Sequence, residues 1–242
     1  MFRRAFIIFM VIGFGMGFLP RHLCAGDEFS TNVFFPLKKG SYWVYQGQTK
    51  WTSPGTSAVL EKTMTWKMLV EDVFRRGDCT VAVVNGHPQD LAWYEDGKSP
   101  GQYLIVQVNG KYYLIEGDER IHEVLARVQD QNDKLADLGY DWELFLEKPL
   151  AKYQSYGEES QLARDDRFYS WFVEDESTAE LSQVKGQFPL GEIYKKYHLA
   201  LRTLPDHIFF DFVPGIGITH YSYAHHGTVA STDLQLIEYF AG

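Results

Sequence analysis

Cysteine is scarce in this chain: only Cys24 and Cys79 occur in 242 residues. Cys24 falls in the N-terminal leader, so a disulfide framework is excluded as the source of stability, and no paired-cysteine metal motif exists. Apolar runs long enough to span a bilayer are also lacking. The run from Ala5 to Leu19, "AFIIFMVIGFGMGFL", is shorter than the ~20 residues a transmembrane helix needs and is broken by Gly13, Gly15 and Gly17. Positive charge is in short supply, with 23 Lys and Arg against 32 Asp and Glu and a net charge of −9. Such a surface is repelled by phosphate backbones and anionic head groups, which argues against nucleic acid and against electrostatic membrane binding.

Familiar catalytic signatures are missing too. There is no phosphate-binding glycine loop and no His-Glu-x-x-His, and "DQND" at Asp130 to Asp133 lacks the glycine and closing glutamate of a calcium loop. "GKSPG", Gly97 to Gly101, matches Gly-x-Ser-x-Gly in letters only. The residue after Ser99 is Pro100, which has no N–H to give an oxyanion, and a strand-like run follows where a helix is required.

What is present begins with an export signal. Arg3 and Arg4 precede the apolar run, and Pro20, Arg21 and His22 end it, the layout of a secretory signal peptide. Cleavage is expected after Ala25, giving a signal peptide over 1–25 and a mature chain over 26–242. Lipidation at Cys24 is the less favoured alternative, because Leu23 stands where a lipoprotein signal needs a small residue. The expected location is the periplasm or the exterior, with no stable membrane span after cleavage.

The mature chain reads as strands punctuated by turns. Trp43 and Tyr45 share a face of a strand after Gly40, and "VLEKTMTWKMLVEDVF" is a long strand over 59–74. "CTVAVVNG" is a buried strand, and "QYLIVQVNGKYYLIEG" is a hairpin turning at Asn109-Gly110. Helical spacing appears over 118–138, with Asp118 as N-cap and Gly139 as stop, or alternatively as a strand and a short helix. Strand-like runs then return: "FYSWFVED", "AELSQVKGQF", "IYKKYHLALRTL", "HIFFDFVPG", "GITHYSYAHH" and "TDLQLIEYF". The fold expected is mainly β: a curved antiparallel sheet or partly open barrel with one or two short helices. A single β-rich domain over 26–242 is the simplest organisation. Echoes of Pro-Leu followed by an aromatic at Phe34, Leu146 and Gln187 leave open two related halves with a boundary near Gly139.

Three histidines crowd "FVPGIGITHYSYAHHGT", but a strand from Ile218 places Ile218, His220, Ser222, Ala224 and His226 on one face and Thr219, Tyr221, Tyr223 and His225 on the other. His220 and His226 lie about 20 Å apart along it, too far to share one metal. No metal site and no cofactor are expected, since a metal would need one of these histidines plus partners from elsewhere such as His207 or Asp206. His225, His226 and Gly227 form a hairpin end, and Pro214, Gly215 and Gly217 a tight turn or bulge. Glu174 to Glu176 form a solvated turn, and Cys79 a buried inert thiol. The remaining chemical resource is aromatic, at 16% of residues. Trp43, Tyr45, Trp66, Trp93, Trp171, Tyr221 and Tyr223 are candidate ligand-binding residues. They would line an apolar pocket if concave, stack on sugar rings if open, or fill the core.

"FPLKKGSYWVY" at Phe35 to Tyr45 and "FVPGIGITHYSY" at Phe212 to Tyr223 resemble the two ends of a group of exported bacterial β-rich proteins with no assigned activity. The resemblance implies an opening strand and a late hairpin, and no catalytic residue. The function expected is a non-catalytic envelope or secreted protein that binds a hydrophobic small molecule or envelope component, or acts as an interaction module. The alternatives are a hydrolase, glycan-directed and built from dispersed acidic residues and histidines, and a structural surface protein.

Overall fold

Alternation of large apolar and polar side chains organises the whole structure. The computed structural model describes residues 33–53, 55–135, 139, 142–186, 188 and 193–242; the expected signal peptide lies outside them. Twelve strands form one sheet: β1 (Tyr42–Thr52), β2 (Val59–Arg76), β3 (Cys79–Asn85), β4 (Gln102–Val108), β5 (Lys111–Ile115), β6 (Glu143–Glu147), β7 (Ser155–Tyr156), β8 (Trp171–Thr178), β9 (Lys195–Arg202), β10 (Asp206–Val213), β11 (Gly217–His225) and β12 (Ser231–Phe240). Their order is β6-β5-β4-β3-β2-β1-β12-β11-β10-β9-β8-β7, antiparallel throughout. Each ladder joins chain neighbours except β1 with β12, where the first and last strands meet.

The sheet curls into a nearly closed barrel with one unsealed seam between β6 and β7. Side chains stitch that seam instead of a backbone ladder. The Tyr156 hydroxyl donates to the Phe145 carbonyl at 3.0 Å, and the Trp171 indole N–H donates to the Leu144 carbonyl at 2.9 Å. Bulges at Glu71, Phe145, Glu174, Thr219 and Ile237 shift the registers and bend the strands, as closure requires. The bulge at Thr219 also corrects the expected facing of β11. Ile218 leaves the face of His220 and joins Tyr221 and Tyr223 in the core.

The interior holds a cluster of buried side chains that includes Trp43, Tyr45, Trp66, Phe210 and Tyr221. The loop between β3 and β4 contributes to the filling. Its neck is the Gly86 N–H to Gly101 carbonyl bond at 2.8 Å, and Leu91 at the end of a 3₁₀ turn, Pro88–Leu91, is fully buried. Thr232 on β12 donates to the Leu91 carbonyl.

A second core lies on the outer face. Helix α1 (Asp118–Gln129) sets Ile121, Val124 and Val128 on Cys79, Val81, Val83, Leu104, Val106 and Ile115. The unbroken apolar run of β3 is thereby explained: Ala82 and Val84 face the barrel interior while Val81 and Val83 face the helix. Arg76 donates to the carbonyls of Arg127 at 3.0 Å and Asp130 at 2.6 Å, satisfying acceptors that the helix end leaves free. The helix is shorter than its spacing implied. Asp118 opens the first turn behind the cap residue Gly117 and makes no capping bond. Asp130, in extended conformation, ends the helix well before Gly139. Two further expectations are corrected. Glu174 to Glu176 lie within β8, not in a turn, and the described residues of "AELSQVKGQF" form a turn and bends, with an isolated bridge from Lys185 to Glu238 in place of a strand. Helix α2 (Glu159–Leu162) is a single turn.

Two substitutions test the closure. Tyr156→Phe is expected to cost about 1–2 kcal/mol, the value of a buried hydrogen bond whose acceptor is left behind, read as a lower urea midpoint with unchanged slope. Gly217→Ala is expected to cost more, about 2–5 kcal/mol. Gly217 has φ +106°, and an added Cβ would stand 2.7 Å from the Phe35 ring and 3.1 Å from Trp43 Nε1.

Candidate functional site

Of the seven aromatic residues singled out by sequence, six are core. Trp43, Tyr45, Trp66, Trp171, Tyr221 and Tyr223 are buried, whereas Trp93 is 51% exposed. Most of the buried rings have their polar tips anchored. Trp43 Nε1 donates to the Ile216 carbonyl at 2.6 Å, Tyr45 Oη to Ile218 at 3.0 Å and Trp66 Nε1 to Gly86 at 3.0 Å. Such tips are posts of the fold, fixed by their hydrogen bonds and closed to a ligand.

Trp93 stands apart because the inward loop brings it back out at the barrel rim. There it flanks a cleft of about 220 Å³ lined by Trp51, Thr52, Tyr94, Glu95, Thr228, Val229 and Ala230. Trp51 and Tyr94 meet edge to face at 4.9 Å and 74°, making a corner. His225 packs on Trp93 at 4.5 Å, and its Nδ1 lies 2.9 Å from Asp206 Oδ1, which also accepts from the Tyr223 hydroxyl. The Trp93 ring is thus held from the β10–β11 side. On the other flank, Lys62 Nζ lies 3.2 Å from the Tyr94 hydroxyl and 2.9 Å from Asp96. That hydrogen bond lowers the Asp96 carboxyl and raises the Lys62 ammonium from their usual values. Sequence reasoning did not place Trp51, Tyr94 or Glu95 among the candidate binding residues. The available signal was "WYED", where paired aromatics outside any alternating run run straight into acids.

A larger groove of about 640 Å³ runs beside the start of α1, but it is open and lined by charges of both signs, including Glu116, Asp118, Glu119 and Arg120. It offers no exposed ring. The histidines remain dispersed. His220 Nε2 lies 3.1 Å from Asp233, and His198 Nδ1 lies 2.7 Å from Asp211, which Lys196 also reaches at 2.9 Å. The bond to Asp211 raises the His198 imidazole above its usual value. His207 and His226 do meet, with ring centroids 4.4 Å apart. However, His226 Nε2 lies 3.3 and 3.4 Å from the two ring nitrogens of His207. A position equidistant from both is over the ring, where no lone pair points. Among the described residues no three His, Cys, Asp or Glu side chains gather as metal ligands.

The barrel interior holds its own polar group. Asp90 accepts from the Tyr103 hydroxyl at 2.8 Å and the Gly101 N–H at 2.9 Å, and burial raises its carboxyl. His87 is 3% exposed, and burial pushes its imidazole down to about 3.

No protein-family model matches the chain, and no curated protein matches it. Among solved structures, a candidate lipoprotein of Parabacteroides distasonis aligns at TM-score 0.36 and 12% identity, over 86% of this chain and 98% of that one. A candidate exported protein with a YmcC-like fold from Bacteroides fragilis aligns at TM-score 0.39 and 11% identity, over the same shares.

His87 makes stability depend on pH with a definite sign. Its folded value lies below the unfolded value of about 6.5, so between these limits the unfolded chain binds more protons and stability falls as pH falls. His87→Phe is expected to lose less stability between pH 6.5 and 4.5 than the parent, measured by urea unfolding at both values.

Proposed function

We propose that the protein is exported and acts without catalysis, as an envelope or secreted protein that binds a small ligand in the rim cleft at Trp93. Export is supported by the charged, apolar and polar succession of residues 1–25. Trp93 carries the binding reading. It is a half-exposed tryptophan on a partly enclosed cleft, in a barrel that buries the other six rings singled out by sequence. A large ring left in water forgoes about 1.5–3 kcal/mol of burial. Ligand binding recovers it.

Large side chains and the β3–β4 loop occupy the barrel interior. The cleft is smaller than the ~300–1,000 Å³ of sites that engulf a drug-sized molecule. It suits one ring or one head group. Native mass spectrometry of protein isolated from its own envelope or secreted fraction is expected to show an added mass that vanishes on denaturation. Trp93→Ala, purified in the same way, is expected to carry none. A parent protein that is bare, or an adduct unaffected by Trp93→Ala, would remove the cleft as the site.

A further inference from the structure

We infer that the cleft receives a quaternary ammonium group, held against the half-exposed ring of Trp93 and by the carboxylate of Glu95, with the buried pair Trp51 and Tyr94, 8% and 4% exposed, as its floor. The inference rests on the cleft being a binding site and names its ligand chemistry. Three aromatic rings and one carboxylate, with no basic side chain, line the space. Aromatic faces carry negative quadrupole potential, and several rings around a methylated ammonium form the usual cage for such cations. Glu95 is exposed at the mouth and supplies the formal counter-charge.

The shape favours a compact cation over a sugar. A sugar ring needs a flat platform and several fixed partners for its hydroxyls. Here Trp51 and Tyr94 stand at 74°, a corner, and the hydroxyl side chains lining it belong to Thr52 and Thr228. The chain's own cation does not block the Tyr94 face. Lys62 Nζ lies 3.2 Å from the Tyr94 oxygen and 5.8 Å from the ring centroid, almost in line with the phenol axis, so it caps the hydroxyl end. The packing of His225 on Trp93, with Asp206 behind it, presets the outer wall and reduces the ordering cost of binding. The net charge of −9 draws cations toward the surface.

Choline and tetramethylammonium are the probes, titrated into the full mature protein by calorimetry. The neutral isostere 3,3-dimethylbutan-1-ol and N-acetylglucosamine serve as comparisons. Both cations are expected to bind, with the isostere about tenfold weaker or worse. Trp93→Ala is expected to weaken choline about tenfold or more, and Glu95→Gln about fivefold, with melting temperature unchanged in Glu95→Gln because the side chain is exposed. Equal binding of isostere and choline, or a Glu95→Gln protein that binds choline as the parent does, overturns the assignment. N-acetylglucosamine binding that depends on Trp93, without choline binding, overturns the cation and leaves the cleft standing. If no probe binds and the isolated protein carries no adduct, both fall.

Discussion

The hydrogen bond from the Trp43 indole to the Ile216 carbonyl, 2.6 Å long and fully buried, ties the first strand of the barrel to the turn between β10 and β11. Around it the two motif-like stretches of the sequence pack on each other. Phe35 meets Trp43 and Phe212 edge to face, Tyr45 donates to Ile218, and the Gly215 N–H donates to the Phe34 carbonyl. Gly217 lets these groups meet, because any side chain there would strike Phe35 and Trp43. The β1–β12 ladder, the one ladder between strands distant in sequence, is set beside this contact. With that ladder, the seam and the Thr232 bond to the Leu91 carbonyl, the Trp43 bond joins the two six-strand runs that flank residues 148–154.

A barrel locked this way has little interior to spare. Indoles and phenols reach inward from β1, β2, β8 and β11, and their polar tips need partners. Carbonyls at bulges and turns supply several: Phe145 at the β6 bulge, Gly86 at the loop neck and Ile216 in a turn. The irregularities therefore satisfy buried donors as well as bending the sheet. The β3–β4 loop adds Leu91 and His87 to this packing and emerges at the rim as Trp93 to Asp96.

Much of this was legible wherever one residue type dictates one geometry. Asn109 and Gly110 both take positive φ, as the hairpin reading requires, and the buried character of β3 follows from its unbroken apolar run. Bulges were not legible. Thr219 has no composition that marks it as the extra residue, yet it moves Ile218 to the opposite face. The acids of β8 looked like a turn because their cations, Arg202, Lys195 and Lys152, come from elsewhere in the chain. Helix α1 kept its apolar stripe but ended early, because the carboxylate of Asp130 accepts the Asn132 N–H at 2.9 Å and competes with the next helical turn. For the candidate site, alternation could not separate Trp93, which lies outside any strand, from rings that fill the core.

The seam shows how the fold manages its exposed edges. A fully laddered closure would need β7 to match β6 in length, but β7 has two residues and β6 bulges at Phe145. Two side-chain donors replace the missing ladder, and each such bond is worth about 1 kcal/mol net. That is weak beside the eleven paired positions joining β1 to β2. Behind these bonds the near-parallel rings of Tyr156 and Trp171 add buried apolar packing on the inner side of the seam. The closure of this barrel is therefore a division of labour, with backbone pairing along the sheet and aromatic side chains at both places where pairing alone does not hold it: the turn that Trp43 pins and the seam that Trp171 and Tyr156 bridge.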